Sequence, residues 1–360
     1  MLTRSGFRST LVVLTATAVL AALPGAAAAQ RTDSTADTAR ALEHDGALHL
    51  TVSDWGLAIG NARRVNGIRL NYRDHGPVLV NGLNATIWTP YDPADGDVRG
   101  VALGVPLTGA RRIRGLGIGL GVAADRDIGG VVLAGIGAGA GGRIDGILVA
   151  GLGSGAGKDV RGIAIGGLGT GAGGSLRGLA VGGLGVGAGG DLWGIAIGGL
   201  GAGAGRNLTG ISVGGVGVGA GGNLTGISIG GVGVGAGGRA RGVIVAGVGA
   251  GAGELLEGLV IAGIGAGAPN VRALVISPAA GGESVRGVML APAYFRVSEG
   301  GSFTGVSVSA FNHIRGVQHG LVIGIFNYAR ELHGVQLGVL NFAGNNHGWS
   351  RLLPLVNVHH

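Results

Sequence analysis

The stretch Gly178-Leu-Ala-Val-Gly-Gly-Leu-Gly-Val-Gly-Ala-Gly-Gly-Asp-Leu-Trp193 decides how this chain is read. It is one copy of a unit whose leading Gly recurs at Gly130, Gly146, Gly162, Gly178, Gly194, Gly210, Gly226, Gly242 and Gly258, a spacing of 16 without a slip. The first and third positions after that Gly are aliphatic (Ile195 and Ile197, Ile211 and Val213), and so is the sixth (Leu200, Val216). A small or polar residue such as Ala180 or Ser212 lies between the first and third, an alternation that signals strands. Helix is excluded, because seven Gly per unit, each costing about 1 kcal/mol against Ala, exceed what packing offsets.

Hairpins of long strands would alternate strictly, whereas here the apolar phase shifts at Gly182-Gly183 and again across Trp193-Gly194. Such shifts at fixed Gly corners suit a coil. The expected fold is all-β: a parallel β-solenoid of short Gly-rich coils, mostly 16 residues and 14–15 toward the ends. Each coil carries two or three short strands, stacked on like strands of its neighbours about 4.8 Å away. The repeating Gly is expected at corners with positive φ and close backbone approach. Four or five aliphatic residues per unit are expected to face inward: those at the first, third and sixth positions, and the residue two before the Gly (Leu176, Leu192, Leu208, Leu224). The column Ala180, Ala196, Ser212, Ser228, Ile244 and Val260 is then expected to face out.

The same opening continues upstream at Gly56, Gly67, Gly82, Gly100 and Gly115, and downstream at Gly287, Gly305, Gly320, Gly334 and Gly348. Residues 51–358 are therefore expected to form a single β-repeat domain, with regular coils over 130–273. Ahead of it, Met1 to Ala29 carries Arg4, Arg8, the apolar run Leu11 to Leu23, and Ala27-Ala28-Ala29 before Gln30. This reads as a signal peptide, since the run is too short to span a bilayer and no Cys stands at the cut for lipidation. Residues 30–50 read as a polar linker, with a short helix near Thr35 to His44.

Composition narrows the classes further. Gly supplies 84 of 360 residues, yet 46% of the chain is hydrophobic and mean hydropathy is +0.48. Nine Pro without a Gly-x-y register exclude collagen, and the apolar content argues against disorder. The absence of Cys removes disulfides and thiolate metal sites. The net charge of +7 is carried by Arg apart from Lys158. Those Arg are scattered except at Arg111, Arg112 and Arg114, so no nucleic-acid partner is expected.

At the C-terminus the unit shortens: His319-Gly-Leu-Val-Ile-Gly-Ile-Phe-Asn327-Tyr-Ala329 is followed by His333-Gly-Val-Gln-Leu-Gly-Val-Leu-Asn341-Phe-Ala343, then Leu353-Pro-Leu-Val-Asn357. These residues resemble a bacterial exported surface-repeat family with G-[VIL]-Q-[IL]-G-x-x-N-x-A units. The central coils depart from that pattern, with Gly169, Gly185, Gly201 and Gly217 replacing the Asn. The resemblance implies an exported surface protein and no catalytic residues.

No constellation of nucleophile, base and orienter is legible. The many G-x-G-x-x-G matches are by-products of the repeat, since no helix follows any of them. His44, His49, His75, His313, His319, His333 and His347 invite a metal or acid/base reading, and the last three recur at 14, a spacing that would stack them on one edge. That column also holds Arg161, Trp193 and Glu257, so a metal role is not expected. Asn312, Asn327 and Asn341 are expected to form a structural amide ladder. Asn207-Leu-Thr and Asn223-Leu-Thr look like glycosylation sequons but are one repeat phase seen twice.

The expected function is that of a non-enzymatic exported scaffold without cofactors, located in the periplasm, outer membrane or cell surface. Envelope components or a further copy of the chain are its candidate partners. The alternative is an envelope-embedded protein that sets apolar Gly/Ala faces against lipid.

Overall fold

The computed structural model describes residues 46–74, 77–89 and 96–359. The leader, the cleavage site, the helix expected near Thr35 and most of the linker lie outside the described residues. The described part is a parallel β-solenoid with one continuous ladder of strand pairings and no α-helix among the described residues.

One coil shows the plan. The strand Leu192–Gly198 is followed by a two-residue turn and the strand Gly201–Ala204. Each pairs in parallel, residue for residue, with its counterpart sixteen positions on: Gly194 with Gly210, and Ala202 with Val218. The longer strand bends at its Gly, where φ is +121° at Gly194 and +124° at Gly210. Only Gly occupies that region without strain. Space makes the same demand, because a Cβ on Gly210 would sit 2.1 Å from the Gly194 carbonyl oxygen. The bend gives the coil three sides: the first holds the residues before the Gly, the second those just after it, and the third the short strand.

Alternation then decides what fills the interior. Leu192, Ala196, Ala202 and Ala204 are buried, and Gly198 faces inward with them. The interior is so narrow that a Cβ on Gly198 would meet the Gly201 carbonyl oxygen of the same coil at 1.9 Å. That narrowness overturns the expected phase. The column Ala180, Ala196, Ser212, Ser228, Ile244 and Val260 lies inside, at 1% exposure or less. The first, third and sixth aliphatic positions lie outside, with Ile195 38%, Ile197 40% and Leu200 54% exposed. Of the columns expected inside, Leu176, Leu192, Leu208 and Leu224 are indeed buried. A core one Leu and several Ala wide has no volume for three more aliphatic side chains per coil.

Antiparallel strands close both ends of the stack. Ala47–Val52 folds back on Trp55–Gly60 through a two-residue turn, Ser53-Asp54, with both residues at positive φ. The repeat thus starts inside the stretch read as linker. At the other end Leu352–His359 pairs antiparallel with the last coil. Gly348 belongs to a 3-10 turn, Gly348–Arg351, that reverses the chain, and is not a corner of the stack.

Candidate contact surface

The three sides differ in chemistry. On the side of the short strand the outward residues are Gly, as at Gly201 and Gly203 or Gly217 and Gly219, so a stretch of backbone is bare of side chains. The side before the corner Gly is polar. Here an Asp or Asn three positions ahead of the corner clips one coil to the next. Asp127 Oδ1 accepts the Arg143 backbone N–H at 3.0 Å, and Asp159 Oδ1 accepts that of Ser175 at 2.9 Å. Asn207 and Asn223 do the same for Asn223 and Arg239, each at 3.0 Å. Both sequon-like Asn are therefore occupied in holding coils together. The N–H bond from Arg143, helped by Arg112, lowers the Asp127 pKa; that from Ser175, helped by Arg143, lowers the Asp159 pKa.

The remaining side is aliphatic throughout. The two outward positions after the corner are Leu57 and Ile59 in the first parallel coil, Ile195 and Ile197 in the middle, and Val335 and Leu337 in the last. Every coil between them supplies Leu, Ile or Val there, apart from Ala85, and none supplies a charge or an aromatic ring. The reversed end strands continue the stripe: Leu50 and Leu48 lie opposite Leu57 and Ile59, and Val358 and Val356 opposite Val335 and Leu337. An exposure near 40% is what an outward side chain retains between identical neighbours one strand spacing above and below it. Globular surfaces rarely leave a patch of this length uncovered. Charge flanks the stripe across the corner Gly, in a column that holds Arg161, Arg177, Arg241, Arg272 and Arg286 together with Asp145, Glu257 and neutral residues.

At the two ends the core turns polar. Arg69, fully buried, pairs with the buried Asp74 and donates to Asn84 Oδ1 at 2.9 Å, while Asn71 donates to Asp74 at 2.9 Å. At the C-terminal end Asn312 Nδ2 donates to Asn327 Oδ1 at 2.8 Å, and Asn327 Nδ2 to Asn341 Oδ1 at 2.7 Å. All three Asn are fully buried, so the ladder runs through the interior. Gln336 donates to Gln318 beside it at 3.0 Å. No sequence signal singled out Arg69 or Gln318, because each occupies a column that is aliphatic or small in most coils.

His319 and His333 stack with ring centroids 5.2 Å apart, as their spacing suggested. The third ring is His359 from the reversed end strand, 5.9 Å from His333, and not His347, which precedes the 3-10 turn. His313 packs elsewhere, stacked on Phe311 and bonded to the Tyr294 hydroxyl at 3.0 Å; burial, then Arg315 and Arg296, lower its pKa. His49 lies in the first strand, and His44 and His75 fall outside the described residues. Among the described residues no group of three or more His, Asp and Glu is placed to hold a metal. No helix among them is long and apolar enough to cross a membrane. Comparison with protein-family models, with curated proteins and with solved structures gives no match.

Proposed function

We propose that the chain is a non-enzymatic exported repeat protein whose rigid stack of coils serves as a contact scaffold. The observation that carries this reading is the unbroken aliphatic stripe, a rod-long surface of one chemistry that only contact with another surface removes from water. The Asp and Asn clips tie each coil to the next along the rod. Chemistry that turns over a substrate would need convergent polar groups in a concavity. Some exposed Arg side chains pair with acids on adjacent coils, Arg241 with Glu257 at 2.8 Å and Arg206 with Asp191 at 3.0 Å.

Export rests on the leader sequence and on the resemblance of the terminal units to an exported surface-repeat family. Its test is the N-terminus of the protein recovered from cells. Cleavage after Ala29 gives Gln30 in an envelope or extracellular fraction. Protein beginning at Met1 and recovered from the cytosol would overturn the export reading.

A further inference from the structure

We infer that the aliphatic stripe is the face on which a second copy of this chain docks, side to side along the length of both rods. This deepens the contact-scaffold reading and rests on it for one premise, that the stripe meets another surface.

The dimensions fit. The corner Gly run from Gly56 to Gly334, which at about 4.8 Å per coil makes a face roughly 85 Å long. Two outward columns with their side chains span roughly 10 Å, so each copy offers on the order of 850 Å². Two such faces bury roughly 1,700 Å² in total, the size of a standard stable interface. Compact monomers seldom carry a flat apolar face of that shape.

Side-chain chemistry selects the occupant. The stripe is built from Ile, Val and Leu in straight columns, and an identical face presents the same columns at the same spacing. Two such faces interdigitate as packed sheets do, about 10 Å apart. A surface lying on lipid headgroups would carry Trp and Tyr, yet Trp193 is the sole aromatic residue between Gly130 and Val288, and it sits beside the stripe. The end strands bear on the direction of growth. Both reverse the chain and keep the aliphatic pair on the same side, at Leu50 and Val358. The stripe is thereby maintained to the tips, while the parallel ladder itself is terminated.

Sedimentation equilibrium of the protein at micromolar concentration tests the inference. The expected mass is twice that of the chain. The variant Ile195→Lys, Ile211→Glu, Ile227→Lys places alternating charges on adjacent coils, where they attract within a copy and disrupt packing between copies. It is expected to sediment as one chain with an unchanged far-UV spectrum. Ile211→Lys alone should weaken the dimer at least tenfold, providing a second reading if the triple variant folds poorly. Gly219→Ser, on the bare side, should leave the mass doubled.

A wild-type protein that sediments as a single chain overturns the inference, as does a dimer that survives both Ile211→Lys and the triple variant. Binding of monomers to phosphatidylglycerol–phosphatidylethanolamine vesicles would place lipid on the stripe in place of a second copy and leave the contact reading standing. Monomers that bind neither copy nor vesicle would overturn the inference; the export reading is decided separately by the N-terminus.

Discussion

At the scale of single residues, Gly does three separate jobs in each coil, and the three are distinguishable by substitution. Gly210 needs both a positive φ and the absence of a Cβ, Gly215 needs only the latter with 1.9 Å to the Gly199 carbonyl oxygen, and Gly219 faces open space. Gly210→Val should lower stability by about 3 kcal/mol or more, through backbone strain and a clash with the preceding coil. Thr209→Val, one residue earlier and facing outward, should be mild. Gly219→Ala should be neutral or gain about 0.4–1 kcal/mol by restricting the unfolded chain. Equilibrium denaturation of the three variants checks the order, and equal effects at 209 and 210 would remove the corner. This much was legible in the sequence, because the corner Gly recurs where side-chain chemistry on either side changes phase. The direction of the alternation was not legible from the rule that aliphatic residues lie inside. That rule assumes a core wide enough to hold them, and Gly198 against Gly201 shows an interior too narrow.

At the scale of the coil, two interior columns exchange a long side chain between neighbouring central coils. Leu192 with Ala196, or Leu224 with Ser228, gives way to Ala240 with Ile244: the long side chain moves from one wall to the facing one. That exchange was the signal in the sequence that both positions share the interior, and periodicity alone does not read it. It also specifies an experiment. Leu192→Ala should cost about 2–5 kcal/mol for the cavity, and Ala196→Ile about 1–3 kcal/mol for overpacking. Together they recreate the Ala240–Ile244 pair and should recover most of both losses. A double-mutant cycle in unfolding free energy measures this coupling, and simple additivity would place the two side chains in different spaces. The amide ladder Asn312–Asn327–Asn341 was legible as a stack because identical residues recur in phase. The Arg69–Asp74 pair was not, since it occurs once and joins a strand to the residue that follows it.

For the whole molecule, the consequence of a core this thin is that the two aliphatic side chains just after each corner are turned to the surface, and in register they merge into one side of the rod. The proposed contact role rests on that displacement, because a surface of Ala in place of Ile and Val would offer little to grip. Which way the wall faces is therefore the claim on which the contact surface stands. The chain contains no Cys, so single Cys variants report cleanly. Thiol-labelling rates of Ile195→Cys, Ala196→Cys and Ile197→Cys, measured at nanomolar concentration where copies are dispersed, test it directly. The 195 and 197 thiols should react as freely as in denaturant, and the 196 thiol should react only when the protein unfolds. A reactive 196 thiol between protected 195 and 197 thiols would turn the wall around and take the aliphatic stripe off the surface.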